Sequence, residues 1–432
     1  MTPLFKKGDE FCKKNYRPVS VLPVLNNIFE RILAKQLEPF YQNILSDFIS
    51  AYRPNYSCET SLLRLTEDWR KSRDSKETVA VVSMDLSKAF DSIPHALLLA
   101  KLKAYGLSET SIVLLRSYLS TRIQRVKIGD TFSEWELVRR GVPQGSVLGP
   151  IFFNVHINDL FYHIKRANLN AYADDEQLYS SDKDLETLNT RLEHELGIAN
   201  NWYERNGMTV NPEKHQAMVL GANSNYEFSF PVKNSIDLLG VTIDKDLSFN
   251  RHISQICEKV NKQLSVLKRF KNIITSNVML RLYKAFILPH FQYCSLIWHF
   301  SGTRNCDKLE SLNKRILRFI FNDSLSSYDE LLKKAKIASL YAGRLHKILM
   351  IVFKSLFVST YPGYLKELFV FGNSSYSLRG KNILTLPIPR TTNYGLECVR
   401  YQAAKIWNSL PDSMRTMTLF KDFKKAIKEM NF

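Results

Sequence analysis

The sequence predicts an α+β domain followed by a basic, mainly helical region, and three observations predict it. Residues 78–85 form an apolar, β-branched run, Val79-Ala80-Val81-Val82-Ser83-Met84 ahead of Asp85, the pattern of a strand buried on both faces. Residues 167–180 hold two short β-type segments around the polar tip Tyr172-Ala173-Asp174-Asp175, which reads as a hairpin presenting two adjacent carboxylates. Past residue 250, apolar residues recur at helical spacing beside lysines and arginines.

Taken in order, residues 1–78 read as helical with polar turns. Residues 27–37 place Ile28, Ile32, Leu33 and Leu37 on one helical stripe, which Pro39 is expected to close. Residues 57–69 repeat the pattern with Leu62, Leu65 and Trp69. Between them Arg53 lies in an aromatic, proline-containing bend, where its planar fork could grip a triphosphate or simply face solvent. Phe90 and Asp91 follow the first strand, and Pro94 opens a helix that runs to Tyr105 and stops at Gly106. Residues 112–119 read as a helix, and 124–128 with 135–139 as a hairpin joined at Gly129-Asp130. In Gly141-Val142-Pro143-Gln144-Gly145-Ser146-Val147-Leu148-Gly149-Pro150 the spaced glycines allow close backbone approach to a ligand, though no Gly-Lys-Ser/Thr makes it a Walker loop. A helix over 152–164 precedes the aspartate hairpin. A long amphipathic helix follows it, through Leu185, Leu188, Leu192, Leu196, Ala199 and Trp202 to Asn206-Gly207. Residues 208–211 and 216–220 read as strands around Pro212-Glu213-Lys214, and another strand pair ends in 238–244. This order makes a sheet with helices on one face and acidic strand ends.

A chain of 432 residues can bury a substantial core and hold more than one domain. No run approaches the ~20 apolar residues that span a bilayer, and the first ten residues lack the apolar core of a signal peptide. An intracellular protein without a membrane partner is expected. Cysteines 12, 58, 257, 294, 306 and 398 include no Cys-x-x-Cys, which fits reduced thiols. His290, Cys294, His299 and Cys306 fit no zinc spacing. The net charge of +18 is uneven, since residues 251–432 carry 30 Lys and Arg against 11 Asp and Glu. Helices there around Ile253–Leu267, 309–320 and 420–430 pair apolar stripes with basic faces. That asymmetry points to a polyanion, nucleic acid first, or to no more than a soluble basic surface.

Adjacent aspartates repel, so a fold tolerates Asp174-Asp175 best where a cation neutralises them, and oxygen ligands on a turn suit Mg²⁺. The plainer reading is a solvated turn. Asp85 likewise either meets a metal at the sheet edge or caps a turn. Carboxylates from separate strands are what two-metal phosphoryl transfer employs, clamping ions ~3.5–4 Å apart.

Together the motifs resemble those of the reverse transcriptases of LINE-type (non-LTR) retrotransposons, most of all the jockey-like group. The matching stretches are Asn15-Tyr16-Arg17-Pro18-Val19-Ser20, Ala51-Tyr52-Arg53 with Ser57-Cys58-Glu59-Thr60, Met84-Asp85-Leu86-Ser87-Lys88-Ala89-Phe90-Asp91, residues 141–150, Tyr172–Asp175, Asn211-Pro212-Glu213-Lys214 and Leu239-Gly240-Val241. They cover roughly residues 3–250; Arg390-Thr391-Thr392-Asn393-Tyr394-Gly395 and Trp407-Asn408-Ser409-Leu410-Pro411 resemble the group's tail more loosely.

The resemblance implies a right-hand polymerase: fingers at 1–78, truncated at the N-terminus, palm at 79–245 with a fingers insertion near 107–140, thumb at 246–330, and a basic C-terminal region at 331–432. It assigns Asp85, Leu86, Asp174 and Asp175 to the metal site, and Asp85, Asp174, Asp175 and Lys214 to catalysis, with Lys214 as proton donor to pyrophosphate. Phe90 would gate against a ribose 2′-hydroxyl, Gln144 and Gly145 would line the nascent base pair, and Arg53 would contact the triphosphate. Leu239-Gly240-Val241 corresponds to the primer grip. Phe90 could instead be a core aromatic and Lys214 a surface lysine. The implied activity is RNA-directed DNA polymerisation, a nucleotidyl transfer using two Mg²⁺ (or Mn²⁺), dNTPs, a DNA primer and an RNA template. No endonuclease segment or Cys-rich knuckle is expected in this chain. The rivals are a non-catalytic, nucleic-acid-binding remnant and a different palm-type nucleotidyltransferase or cyclase.

Overall fold

The computed structural model describes residues 1–120, 122–210, 215–221, 226–372 and 381–430. The chain folds as two units, one of residues 1–54, 81–180 and 186–216, the other of residues 55–80, 181–185 and 217–432.

The first unit is built on a sheet whose neighbouring strands are Thr209–Val210, Thr78–Ser87, Asp175–Asp182 and Asn168–Tyr172, in that order. Strand Thr78–Ser87 is the expected apolar run, and Val79 to Val82 are almost wholly buried. A smaller hairpin pairs Thr2–Phe5 with Tyr16–Val19. That hairpin replaces helix at the start of the stretch 1–78, where Tyr16 and Val19 favour strand and Pro18 removes a helical donor, and three further expected elements differ. The first helix runs Val24–Ile44, straight through Pro39. A mid-helix proline loses one hydrogen bond and crowds the carbonyl four residues back, at about 3 kcal/mol or more, and burial of Leu33 and Tyr41 on either side of it offsets that cost. The helix expected over 152–164 is instead Leu148–Ile157 and Leu160–His163. Buried Asn158 breaks it, its side chain accepting from Ser46 N–H at 2.7 Å and donating to Ile44 C=O at 2.9 Å. The 124–139 hairpin does turn at Gly129-Asp130, but pairs only as Lys127–Ile128 with Thr131–Phe132 and Ile123–Gln124 with Glu136–Leu137.

The second unit is mostly helical. Its hairpin Ser235–Leu238/Val241–Asp244 turns at Leu239-Gly240, both at positive φ (47° and 79°), the signature of a type I′ turn. Helix Cys58–Asp74 starts with a reciprocal cap between Ser57 and Thr60. The expected stripe of Leu62, Leu65 and Trp69 is buried, and so are Glu67, Arg70 and Asp74. Those three charges hold residues 390–400. Glu67 accepts from the backbone N–H of Val399 and Arg400 at 2.9 and 2.8 Å, at the start of helix Val399–Asn408. Arg70 donates to the carbonyls of Asn393 and Glu397, and Asp74 accepts from the N–H groups of Arg390 and Thr391 and the Thr391 hydroxyl. At the C-terminus, Phe423 of helix Phe420–Glu429 stacks on Phe353 at 4.6 Å and packs beside Trp407. Among the described residues, no helix is long and apolar enough to cross a membrane.

Candidate active site

Strands Asn168–Tyr172 and Asp175–Asp182 pair antiparallel with Tyr172 opposite Asp175, leaving Ala173-Asp174 as a two-residue turn. Ala173 makes it at φ 55°, a left-handed conformation that costs an ordinary residue about 1–2 kcal/mol. Past the turn, Asp175 stays exposed while Glu176 to Ser180 are all buried, and the Glu176 carboxyl accepts from the Tyr203 hydroxyl. Burial pushes Glu176 up to about 8.

Strand Thr78–Ser87 lies next to Asp175–Asp182 in the sheet and carries Asp85, half-buried. The Asp175 carboxyl is raised to about 6, first by crowding against neighbouring atoms, then by the charges of Asp174 and Asp85. So the three aspartates share one electrostatic environment, as repelling like charges. Among the described residues, no three His, Cys, Asp or Glu side chains close around a point that could hold an ion as they stand. The donor set, all carboxylate oxygen from separate strands, nonetheless suits a hard divalent cation. Leu86 is buried beside Asp85 and pairs with Val210.

The glycine-rich loop is stapled to the segment after Asp85. Gly141 N–H donates to Ile93 C=O at 2.8 Å and Val142 N–H to Phe90 C=O at 2.9 Å. Gly141 has φ 81°, and a Cβ there would stand 2.6 Å from the Asp91 Cα, so only glycine fits this approach. Gln144 Nε2 donates to Asp91 Oδ1 at 3.0 Å, while exposed Gly145 lies against the Ser20 carbonyl. The Gln144 hydrogen bond partly offsets the burial that raises the Asp91 carboxyl, with Lys88 and Lys6 helping. Phe90 stacks on Phe153 at 4.6 Å and meets the Tyr52 ring edge-on at 6.3 Å. The Tyr52 hydroxyl is raised by burial and then by Asp174, against a lowering from Arg17. The Tyr52 hydroxyl thus senses the Asp174 charge, and the Tyr52 ring meets Phe90.

Residues 5–243, more than half of the chain, match the family described as reverse transcriptase (RNA-dependent DNA polymerase). The chain belongs to the reverse transcriptase family. It is 29% identical to the probable RNA-directed DNA polymerase from transposon BS of Drosophila melanogaster over 72% of this chain and 36% of that protein. To the RNA-directed DNA polymerase from mobile element jockey of the same organism it is 26% identical, over 71% of this chain and 35% of the relative. The kinship expected from the motifs is thus borne out, and the chain spans about a third of the length of these curated relatives. Among solved structures, telomerase from Candida tropicalis with a TWJ fragment of telomeric RNA overlaps 95% of this chain and 57% of its own, at 13% identity and TM-score 0.42.

Within this reverse transcriptase-family chain the other expected site residues lie as follows. Arg53 is buried, and its guanidinium donates to Gln42 Oε1 at 3.1 Å and to the Ser46 and Ile49 carbonyls at 2.7 and 3.0 Å. Those bonds shape the bend around it. Lys214 lies outside the described residues. His299 and Cys306 both accept from buried Arg344, and His290 contacts Gln263. Arg17, Lys6 and Tyr52 were not singled out for the site. Arg17 stands in the Asn-Tyr-Arg-Pro stretch, so a cation inside a shared motif was the available signal. Tyr52 likewise stands in the shared Ala51-Tyr52-Arg53 stretch, but its partner Phe90 lies far along the chain, so the motif alone does not join the two.

Proposed function

We propose that this chain is an RNA-directed DNA polymerase of a non-LTR retrotransposon, joining dNTPs to a DNA primer on an RNA template. The observation that supports this most is that Asp85 and the Asp174-Asp175 pair, far apart in sequence, feel one another's charge at one sheet edge. Asp85, Asp174 and Asp175, with Leu86 beside them, would hold two Mg²⁺ (or Mn²⁺). Such ions, when bound, lower the pKa of a primer 3′-hydroxyl and neutralise departing pyrophosphate. Phe90, braced by Phe153 and Tyr52, would reject a ribose 2′-hydroxyl by its bulk. Gln144, tethered to Asp91, would line the nascent pair with Gly145. Exposed Arg17 would take the triphosphate, while Arg53 keeps its bend in shape, and Lys214 would protonate pyrophosphate. In right-hand terms, residues 79–245 would be the palm, 1–78 the fingers, and 246–330 the thumb, with 331–432 a basic C-terminal region. An intracellular setting suits the free thiols.

The test is primer extension on an RNA template with dNTPs and Mg²⁺, comparing this chain with Asp174→Asn. Template-dependent product that disappears in the variant supports the reading. The basic excess beyond residue 250 favours a second one, a remnant that binds nucleic acid without catalysis. Duplex binding by both proteins with extension by neither would put that remnant in its place.

A further inference from the structure

We propose that the hairpin of residues 123–137 is a stacking platform for single-stranded nucleic acid. The Arg125 guanidinium lies 3.9 Å from the Phe132 ring centroid and 4.7 Å from that of Trp135. Lys127 stands 5.4 Å over Phe132, and nearby Arg122 lies 5.0 Å over Tyr118. The hairpin thus presents alternating rings and cations on its surface. Trp135 stays 54% exposed, Phe132 45% and Ile128 67%. An arginine between two rings contributes only ~0.5–1 kcal/mol at an exposed site, and it leaves this much apolar surface uncovered. That arrangement is a poor use of tryptophan for internal packing.

Charge identifies the occupant. Residues 122–140 carry five Lys and Arg against Asp130, Glu134 and Glu136. Exposed aromatic faces interleaved with cations match unpaired bases joined by phosphates, because every base has a π-face while only an unpaired one offers it freely. The two short ladders, each of two residue pairs, hold Trp135 and Phe132 close without burying them. Trp135 and Phe132 would take bases, and Arg122, Arg125 and Lys127 the backbone. Only the identity of the strand, an unpaired template, rests on the polymerase reading. Binding itself needs no catalysis.

The chain supplies its own probe. Trp69, Trp202, Trp298 and Trp407 are at most 5% exposed, so a stacking base meets Trp135 alone among the tryptophans. The full chain would be titrated, without primer, with a twelve-nucleotide single-stranded oligo(U) and separately with oligo(dT). Tryptophan emission and the anisotropy of an end-labelled oligonucleotide would be followed together. Quenching by either oligonucleotide is expected, with affinity falling roughly 5- to 150-fold in Trp135→Ala, as ~1–3 kcal/mol of stacking per base implies. Trp135→Phe should recover much of the affinity while losing the signal. Tighter quenching by RNA assigns the platform to the template. Tight binding with unchanged emission, and Trp135→Ala within twofold of the parent, would overturn the proposal. So would a concentration-dependent dimer that Trp135→Ala abolishes, since a second copy would then own this face. Quenching without primer extension keeps the platform and removes the polymerase, and extension without quenching does the reverse.

Discussion

Glu30 is a carboxylate with no exposure, and its four partners are all donors. Asn26 Nδ2 and the Tyr118 hydroxyl reach Oε1 at 2.5 and 2.6 Å, while the backbone N–H groups of Val147 and Leu148 reach Oε2 at 2.5 and 3.4 Å. At the start of helix Leu148–Ile157 Val147 offers no capping side chain and Ser146 Oγ takes only the Gly149 N–H at 2.7 Å, so Glu30 supplies the acceptor for Val147 and Leu148 and a negative charge at the N-terminus. That helix follows directly on the loop carrying Gln144 and Gly145. Glu30→Ala would orphan at least two buried donors, each at about 1–3 kcal/mol, for a total of about 2–6 kcal/mol. Glu30→Gln should do far less. Its carbonyl can face Val147, and its amide can face Tyr118 and Asn26, where a hydroxyl can rotate and an amide can flip to accept. What remains is the loss of charge assistance, about 1–2 kcal/mol. Because the chain holds two units, a single global unfolding free energy is poorly defined. Hydrogen exchange at the Val147 and Leu148 amides reads the effect locally, and roughly 10²-fold faster exchange is expected in Glu30→Ala. Equal effects of the two substitutions, or unchanged amide exchange, would refute the capping role.

Phe90→Val should relax the sugar gate, reducing the preference for dNTP over rNTP roughly 10- to 200-fold in kcat/KM ratio; an unchanged ratio returns Phe90 to the core. Glu67→Ala leaves the Val399 and Arg400 amides without their acceptor and buried Arg70 without the negative charge of Glu67, so about 3–5 kcal/mol of local stability should go. Limited proteolysis near residues 390–400 would show it as faster cleavage, and an unchanged rate would mean that the segment is held otherwise. His252 is 5% exposed, and its Nδ1 accepts the Thr242 N–H at 3.3 Å, which a protonated ring cannot do. Burial, then Lys259, lowers it to about 4 against an opposing pull from Asp237. The folded state therefore binds fewer protons than the unfolded one. The neutral ring's contribution is complete above about pH 6.5 and fades as pH falls toward 4, reaching about 2 kcal/mol lost at pH 5. His156 and His299 move in the same direction, so the test is the difference between the parent and His252→Gln. Parallel stability curves from pH 7 to 5 would dismiss it.

Sequence reading succeeded where the determining contacts are near in sequence. The run ending at Asp85, the Tyr172–Asp175 turn and the stripes of the basic helices follow from periods of two and 3.6 residues, and the structure keeps all of them. It fell short at buried charge. Glu30, Glu67, Arg70 and Asp74 look like the solvated face of a helix until partners more than a hundred residues away are placed beside them. Arg53 shows the consequence for a functional assignment. An arginine in a bend has the right fork for a triphosphate, yet three internal acceptors within a dozen residues already occupy that fork. Arg17 has the same chemistry without that burial, and its field reaches the Tyr52 hydroxyl together with that of Asp174. Residue type and motif nominate a phosphate ligand, but desolvation decides between nominees. A guanidinium satisfied inside the fold must give up carbonyl acceptors before it can take a phosphate, whereas an exposed one gives up only water.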